Sequence, residues 1–466
     1  MYLERRDQQN AADAAALAGA RYVNDAADFH GTCAGAAGEA VIAACQVVDA
    51  NGFQDGASDE DVLVDIPPVS GIYTGFDHSV QVRINSRRGS IFGGIVGRSV
   101  WPVGVSAVAA NEDEVAYPFG MLALSPSDCK ALQISGTGVV DSASNVQSNS
   151  DGSGCADGSN IGFSRSGAGV LNVSADGVCR SGGELQDQGS GTMTCVTEEF
   201  SFALPDPLAG LPAPDKPTTA TPAMKEWVGT TLVHLPANIP DYCPGAVAPK
   251  DPVEATPRLC VLGQGASQAN RKWVLSPGLY PGGLDLRGGV SAFLLPGIYW
   301  IGGGGFQASN DVNIISVDDE TDTTKAVCTT TVPPTFSCTG GGGVLIYNSK
   351  LVNAAAGPVT LGGGGASLSL MPYDYPFGDT TIDLVLFQDR TVNLTTRLNG
   401  SNSQASDVRG IVYNPLGEVQ VNGANSMFTL DQVIAYTFKI NGSGGTVKVL
   451  KETGVDALIT AIGLVE

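Results

Sequence analysis

Only three of the 466 residues are histidine (His30, His78 and His234), and they lie far apart in the chain. No CxxC pair accompanies them, so the ligand spacings of a zinc site are missing, and the lack of CxxCH excludes covalent c-type haem. There is no G-x-S-x-G elbow, no P-loop and no strand-borne GxGxxG. No run of 18 apolar residues occurs, so no stretch reads as a membrane-spanning helix, and no secretory signal peptide is visible. Basic residues are scarce. Lys and Arg total 25 against 47 Asp and Glu, a net charge of −22, which disfavours nucleic acid and anionic lipid as partners. Aromatics make up 7% of the chain.

Glycine is abundant, with 61 residues and no triplet period, so a collagen helix is excluded. Short apolar runs separated by Gly clusters point to a β-rich protein with many tight turns. The ten cysteines are Cys33, Cys45, Cys129, Cys155, Cys179, Cys195, Cys243, Cys260, Cys328 and Cys338. Successive partners in the order Cys33–Cys45, Cys129–Cys155, Cys179–Cys195, Cys243–Cys260 and Cys328–Cys338 are 10 to 26 residues apart. With no metal motif, that spacing suits five local disulfides in an oxidising compartment, although sequence does not fix the connectivity. The expected order is pairing between neighbours.

Residues 1–112 read as one α+β unit. Glu4–Asn24 forms an Ala-rich helix whose small side chains let another backbone approach closely. A second helix is expected over Ala34–Val48, ending at the turn Asn51-Gly52. Strands are expected at Val62–Ile66, Val80–Ile84 and Val103–Ala109, the last two alternating with period two. The string QNAADAAALAGA resembles the signature of TadE/TadG-like proteins of Flp/Tad pilus assembly. So does the ordered series Asn51-Gly52, Pro67-Pro68-Val69-Ser70-Gly71-Ile72-Tyr73, Val80-Gln81-Val82 and Ala107-Val108-Ala109. The resemblance covers about the first quarter of the chain. It implies that the Ala-rich helix continues a membrane anchor lying upstream of this chain, with Arg5 and Arg6 at the membrane surface. It implies a protein placed at the cell surface.

The rest reads as an all-β right-handed parallel β-helix, a solenoid, in three parts. Residues 113–205 hold short strands such as Ala131–Ile134 and Gly169–Val173 that cannot stand alone. Residues 206–270 open with PDPLAGLPAPDKP and read as a Pro-rich connection or covering segment. Residues 271–466 carry the clearest repeat: Pro277-Gly278-Leu279-Tyr280 recurs as Pro296-Gly297-Ile298-Tyr299, and later strands keep a spacing near 20 residues. Leu284, Leu294, Ile298, Ile346, Leu370, Leu386, Val412 and Ile434 are expected to face the interior. The Gly302–Gly305, Gly340–Gly343 and Gly362–Gly365 runs read as corners, since they lack the Lys-Ser/Thr of a phosphate loop. This part resembles β-helix regions of bacterial surface proteins, through the PGxY repeats and the segment Gly410–Gly423.

Little points to chemistry. The acidic loop with Asp49, Asp55, Asp59, Glu60, Asp61 and Asp65 offers oxygen ligands, but its spacing is not that of an EF-hand, so calcium is weighed there against a solvated loop. Asp318, Asp319, Glu320 and Asp322 form a shorter acidic turn. Tyr373, Asp374, Tyr375, Phe377 and Asp379 are the one cluster in which aromatics and carboxylates would suit a glycan. The reading is a non-enzymatic, membrane-anchored extracellular protein with no cofactor. Its partners are pilus or cell-envelope proteins, surface glycans or further copies of itself. A secreted β-helix that binds or degrades polysaccharide, and a subunit of an extracellular filament or surface layer, are the alternatives.

Overall fold

The computed structural model describes the chain except residues 1, 24–27, 57–58, 72, 77, 90–99, 175–176, 218–223, 229–230, 235–258, 264–270, 309–310, 319–327, 332–334, 339–342, 366, 403, 424, 453 and 465–466. Cys243, Asp319, Glu320, Asp322, Gly340–Gly342 and most of the second half of the Pro-rich segment therefore lie outside the described residues. Among the described residues the fold is mostly β with two α-helices, and the chain divides into two units: residues 1–117 with 458–466, and residues 118–457. The second unit is inserted in the chain between two strands of the first.

In the first unit, α1 (Tyr2–Ala20) packs on α2 (Glu39–Ala50) and on a five-stranded sheet. That sheet is antiparallel through β1 (Phe29–Thr32), β2 (Glu60–Ile66), β3 (Ser79–Gly89) and β4 (Val100–Tyr117), with the final strand Ala457–Leu464 beside β4. The Ala-rich helix is explained by what it touches. Ala11, Ala12, Ala15, Ala16 and Ala20 are all buried. At Gly19 a Cβ would lie 3.1 Å from the Ala40 carbonyl and 3.2 Å from the Ala44 Cβ, so the two helices cross almost backbone to backbone. The second helix starts at Glu39 rather than Ala34, because Cys33–Gly35 forms a 3-10 turn linked to the helix through Cys33–Cys45. It ends where Asn51 donates to the Val47 carbonyl and Gly52 takes φ 86°. Among the described residues no helix is long and apolar enough to cross a membrane.

The second unit is built mainly from strands of three to five residues that meet in three parallel ladders. The first ladder runs through Lys272–Leu275, Ser291–Leu294 and Asn313–Ser316. The second runs through Gly278–Tyr280, Gly297–Ile301 and Val344–Asn348. The third runs through Cys260–Leu262, Leu284–Leu286 and Phe306–Ala308. Each strand thus pairs with the strand one repeat later, and three successive strands make one rung. The long strands Ser406–Gly423 and Met427–Gly442 each visit all three ladders. Among the described residues two antiparallel hairpins interrupt the repeat, Cys328–Thr331 with Thr335–Cys338 and Tyr373–Phe377 with Thr380–Gln388, and a third, Met224–Val228 with Thr231–His234, precedes it and pairs antiparallel with Lys272–Leu275.

The order of rungs in space is not the order in sequence. Val433–Ala435 pairs with Met121–Ala123, Phe438–Gly442 with Leu132–Gly136, and Thr446–Val449 with Val139–Ser142. Residues 119–198 therefore extend the stack beyond its C-terminal strands. One rung is shared by the two extremes of the unit, Thr446–Val449 supplying one side and Phe119–Ala123 with Leu132–Gly136 the other two. The chain enters the stack at that shared rung and builds to one end. It then returns to the other end through the Pro-rich segment and builds back.

Alternation sets the core. Leu284, Leu294, Ile346, Leu370, Leu386 and Val412 belong to one buried cluster that runs the length of the stack. Ile298 and Ile434 do not. Their neighbours Tyr299 and Val433 point inward instead, because side chains on a strand alternate and the register Tyr299–Ile346 fixes which face is which. Corners demand glycine. Gly283 has φ 87°, and a Cβ there would sit 2.3 Å from the Gly303 carbonyl of the next rung. One edge is spanned by an amide relay: Asn441 donates to Asn422 at 3.0 Å, Asn422 to Asn399 at 2.7 Å, and Ser135 to Asn441 at 2.7 Å. Disulfides join Cys129 to Cys155 and Cys179 to Cys195, and Cys260 is disulfide-bonded as well. The backbone sets Cys328 opposite Cys338 in the first hairpin.

Two substitutions test this packing. Val412→Asp buries a charge with no counter-charge in the stacked core and should cost about 3–5 kcal/mol in urea unfolding. Gly19→Leu forces apart a helix pair that meets at 3.1–3.2 Å and should cost about 1–3 kcal/mol. A native midpoint for Val412→Asp would contradict the inward assignment.

Candidate functional site

Outward positions of the second ladder carry a stack of aromatic rings. Trp300, Tyr347, Phe387 and Tyr413 occupy equivalent places on successive rungs. Their centroids are 5.5, 5.1 and 5.2 Å apart in that order, in tilted and edge-on pairs. On the following rungs the same row continues as Ile434, Leu122, Gln147 and Arg180.

This face is covered. Residues 200–215 run along it as a strap with a turn at 207–210 and bury Leu204, Leu208 and Leu211 against it. The strap has no ladder of its own: at its start Phe200 and Ser201 donate to the carbonyls of Gly183 and Ser181, within it Ala209 and Leu211 donate to those of Asp206 and Leu208, and side chains from the face meet further groups. The Gln147 amide donates to the Phe202 carbonyl at 2.9 Å. Asn149 both donates to and accepts from the Leu204 backbone, at 2.8 and 2.9 Å. Tyr413 donates to Asp206 at 2.7 Å. Arg390 donates to the carbonyls of Leu208 and Leu211, the latter at 2.6 Å. Tyr375 donates to the Pro212 carbonyl at 3.0 Å, and the Trp300 indole to that of Pro214 at 3.3 Å. Proline suits the strap because it needs no backbone donor and holds an extended φ.

Arg390 is the centre of the clamp. Its guanidinium lies 5.4 Å from the Phe387 centroid and 5.3 Å from that of Tyr413, and it also donates to the Tyr413 hydroxyl at 3.1 Å. Burial pushes the Tyr413 hydroxyl well above the ordinary phenol range, and the neighbouring Asp206 carboxylate adds to the shift. Tyr347 is raised by burial and by its hydrogen bond to Asp389. Burial opposes the Asp389 charge, but the bonds from Tyr347, Thr391 and Ser349 outweigh it and hold this carboxyl below its ordinary value. A cleft of about 400 Å³ opens beside the strap, with Asn149, Asp206, Arg390, Leu416 and Tyr436 among its lining residues.

The cluster Tyr373, Asp374, Tyr375, Phe377 and Asp379 lies on one hairpin next to this face. Tyr375 is buried with its hydroxyl on the strap, whereas Asp374 and Asp379 are exposed and Tyr373 and Phe377 are half-buried. The hairpin thus brings the five together in sequence, and only Tyr375 donates to the strap. Sequence reasoning missed the aromatic row, although Tyr347, Phe387 and Tyr413 each close a short apolar run and precede an amide, Asn348, Gln388 or Asn414, and Trp300 stands within the apolar run Ile298–Ile301. What hid it was the strap, 86 to 207 residues away in sequence from the groups it bonds to on the rungs of Trp300 and Tyr413.

Of the six acidic residues of the loop from Asp49 to Asp65, Asp49, Asp55, Glu60 and Asp65 accept hydrogen bonds locally. Asp55 accepts from the backbone of Ala34 at 2.9 Å and of Val62 at 3.2 Å, and Asp49 accepts from Gln54. Asp65 pairs with Arg83 at 2.7 Å and meets His30 at 3.2 Å. Among the described residues no three His, Cys, Asp or Glu side chains converge as metal ligands. A second charged group is buried in the stack. Arg409 contacts Asp407 at 2.6 Å and Glu452 at 2.7 Å, and Asp431 accepts from the Gly410 backbone at 3.0 Å. Burial raises the Asp407 carboxyl from its ordinary 3.8 to about 6, against the pull of Arg409.

Two outcomes follow. Arg390→Ala removes charged donors from two buried carbonyls and should cost about 2–4 kcal/mol, with new proteolytic cleavage between residues 204 and 217; cleavage as slow as in the parent would argue against the clamp. Folded Asp407 holds its proton more tightly than the unfolded chain does. Stability should therefore fall as pH rises from about 4 to 6, and Asp407→Asn should flatten that slope in urea titrations at stepped pH.

No family model matches this chain, and no curated protein is similar to it in sequence. Among solved structures, the competence-associated pilin ComZ from Thermus thermophilus matches with 11% identity over 87% of this chain and 83% of that one. The TM-score is 0.24. A likeness that slight carries no argument about what this chain does.

Proposed function

We propose that this chain is a non-enzymatic extracellular protein of the pilus or cell envelope, whose second unit is a right-handed parallel β-helix acting as a rigid rod. The observation that carries the rod is the set of three parallel ladders in register. Crossovers between parallel strands of one sheet are right-handed in nearly all folds, and a stack of repeats gains length without a new core. The strap adds stiffness by tying the far end of the stack to its beginning. Three disulfides between neighbouring cysteines suit an oxidising compartment. The pilus assignment rests on the TadE/TadG-like series of motifs in the first 112 residues, and envelope proteins or further copies of the chain are its partners in this reading.

The non-enzymatic reading is tested on polysaccharides. The purified chain should release no oligosaccharide from acidic or neutral polymers, with or without calcium; depolymerisation that disappears in Asp374→Asn would replace it with the secreted-enzyme reading. Location is tested on the producing cells. External protease should remove the protein from intact cells, and deleting its gene should change pilus number or surface attachment. Full protection in intact cells, with lysis needed for cleavage, would overturn the extracellular assignment.

A further inference from the structure

The three outer faces of the stack differ in kind. The second ladder is sealed by the strap. The first begins with Val274 and Phe293, which point outward yet are buried in a small apolar cluster. The third presents a polar row in which Arg397 is exposed, Gln420, Lys439, Gln133 and Gln186 are half-buried and Ser164 is buried.

Its central outward row runs through Arg397, Gln420, Lys439, Gln133, Ser164 and Gln186, each directly opposite the next. Inward neighbours such as Leu398, Val421, Phe438 and Leu132 belong to the core, so these six face away from it. These six positions carry two cations and no carboxylate, in a chain whose net charge is −22; past Thr360 and Gln307 the same row reaches Asp285, whose carboxylate is taken by Arg287. Two carboxylates, Glu418 and the exposed Glu184, stand in the flanking row. Arg397 spends its Nε on the Gln420 side chain at 3.1 Å rather than on an acid. The relay of Asn399, Asn422, Asn441 and Ser135 borders the row on its other side.

We infer that this face binds an anionic polysaccharide laid along the stack. The chemistry is complementary at each level. Amides and hydroxyls repeating at one strand spacing suit a polymer that repeats hydroxyls. Arg397 and Lys439 are two strands apart, about 9–10 Å, which suits a polymer carrying an acidic group on every second sugar. The strong negative charge of the whole molecule selects against a densely charged chain such as nucleic acid, while two local cations are enough for sparse carboxylates. This inference rests on the ladder face alone and stands or falls independently of the pilus assignment.

The test is affinity electrophoresis of the purified full chain through gels containing hyaluronate, polygalacturonate, dextran or single-stranded DNA. Hyaluronate, with one carboxylate per disaccharide, should retard it most, and dextran should not retard it. The double variant Arg397→Gln, Lys439→Gln should bind about tenfold more weakly, with an unchanged thermal melt. Lys350→Gln, on an exposed residue outside this row, should bind as the parent does. Retention should weaken as salt rises, a readout that needs no variant and therefore stands even if the double variant folds poorly. No retention by either anionic glycan, equal retention by dextran, tighter retention by DNA, or indifference to both the double variant and salt would each overturn the proposal.

Discussion

A strand of four residues buries its apolar side only when another strand lies on either flank, and most of this protein follows from that constraint. None of the short strands between Phe119 and Val449 has enough area to fold by itself. Stacked in register, their inward residues merge into one cluster from Cys179 at one end to Trp273 near the other. Each fully buried aliphatic side chain contributes about 1.5–3 kcal/mol, so the gain grows with the number of rungs while each rung remains simple. The glycine content has the same origin, since corners such as Gly283 pass too close to the next rung for any Cβ.

The insertion of the stack into the first unit creates a topological requirement. Both connections leave from the shared rung, so the chain must build in one direction, cross back along the outside and build in the other. The crossing backbone cannot join a ladder already complete on both edges. It is held instead by donors projecting from the aromatic face: the indole of Trp300, the hydroxyl of Tyr375, the guanidinium of Arg390 and the amides of Gln147 and Asn149. A Pro-rich sequence reduces the number of strap N–H groups that need partners, and its carbonyls take the bonds that remain. The aromatic row, the polar groups beside it and the composition of the strap are therefore one solution to one problem.

Charge is distributed with the same economy. Buried ions in the stack are paired, as Arg409 is with Asp407 and Glu452 and Arg165 is with Asp187. Arg390 is met by carbonyls, a hydroxyl and ring faces. The polar face of the third ladder carries Arg397 and Lys439 in its central row with Glu418 and Glu184 beside them. Removal of water strengthens the paired groups and penalises any left alone, which is why Asp407 titrates late even beside an arginine.

Much was legible from residue order. The small-residue helix, its close partner, the strand periods of the first unit and the local pairing of Cys33 with Cys45 all depend on interactions within a short span or on side-chain size. The repeat of Pro-Gly-x-Tyr likewise announced stacked strands. Three things depended on contacts between distant residues, and only the tertiary structure decided them. One is the inward choice of Tyr299 over Ile298 and of Val433 over Ile434, since period-two alternation allows either face until a neighbouring strand sets the register. Another is the placing of residues 119–198 beyond the C-terminal strands, because parallel edges are alike and sequence order does not say which will meet. The last is the course of residues 200–215, whose partners lie on rungs formed by residues far away in the chain and whose own sequence, rich in proline, records only that it would not pair as a strand.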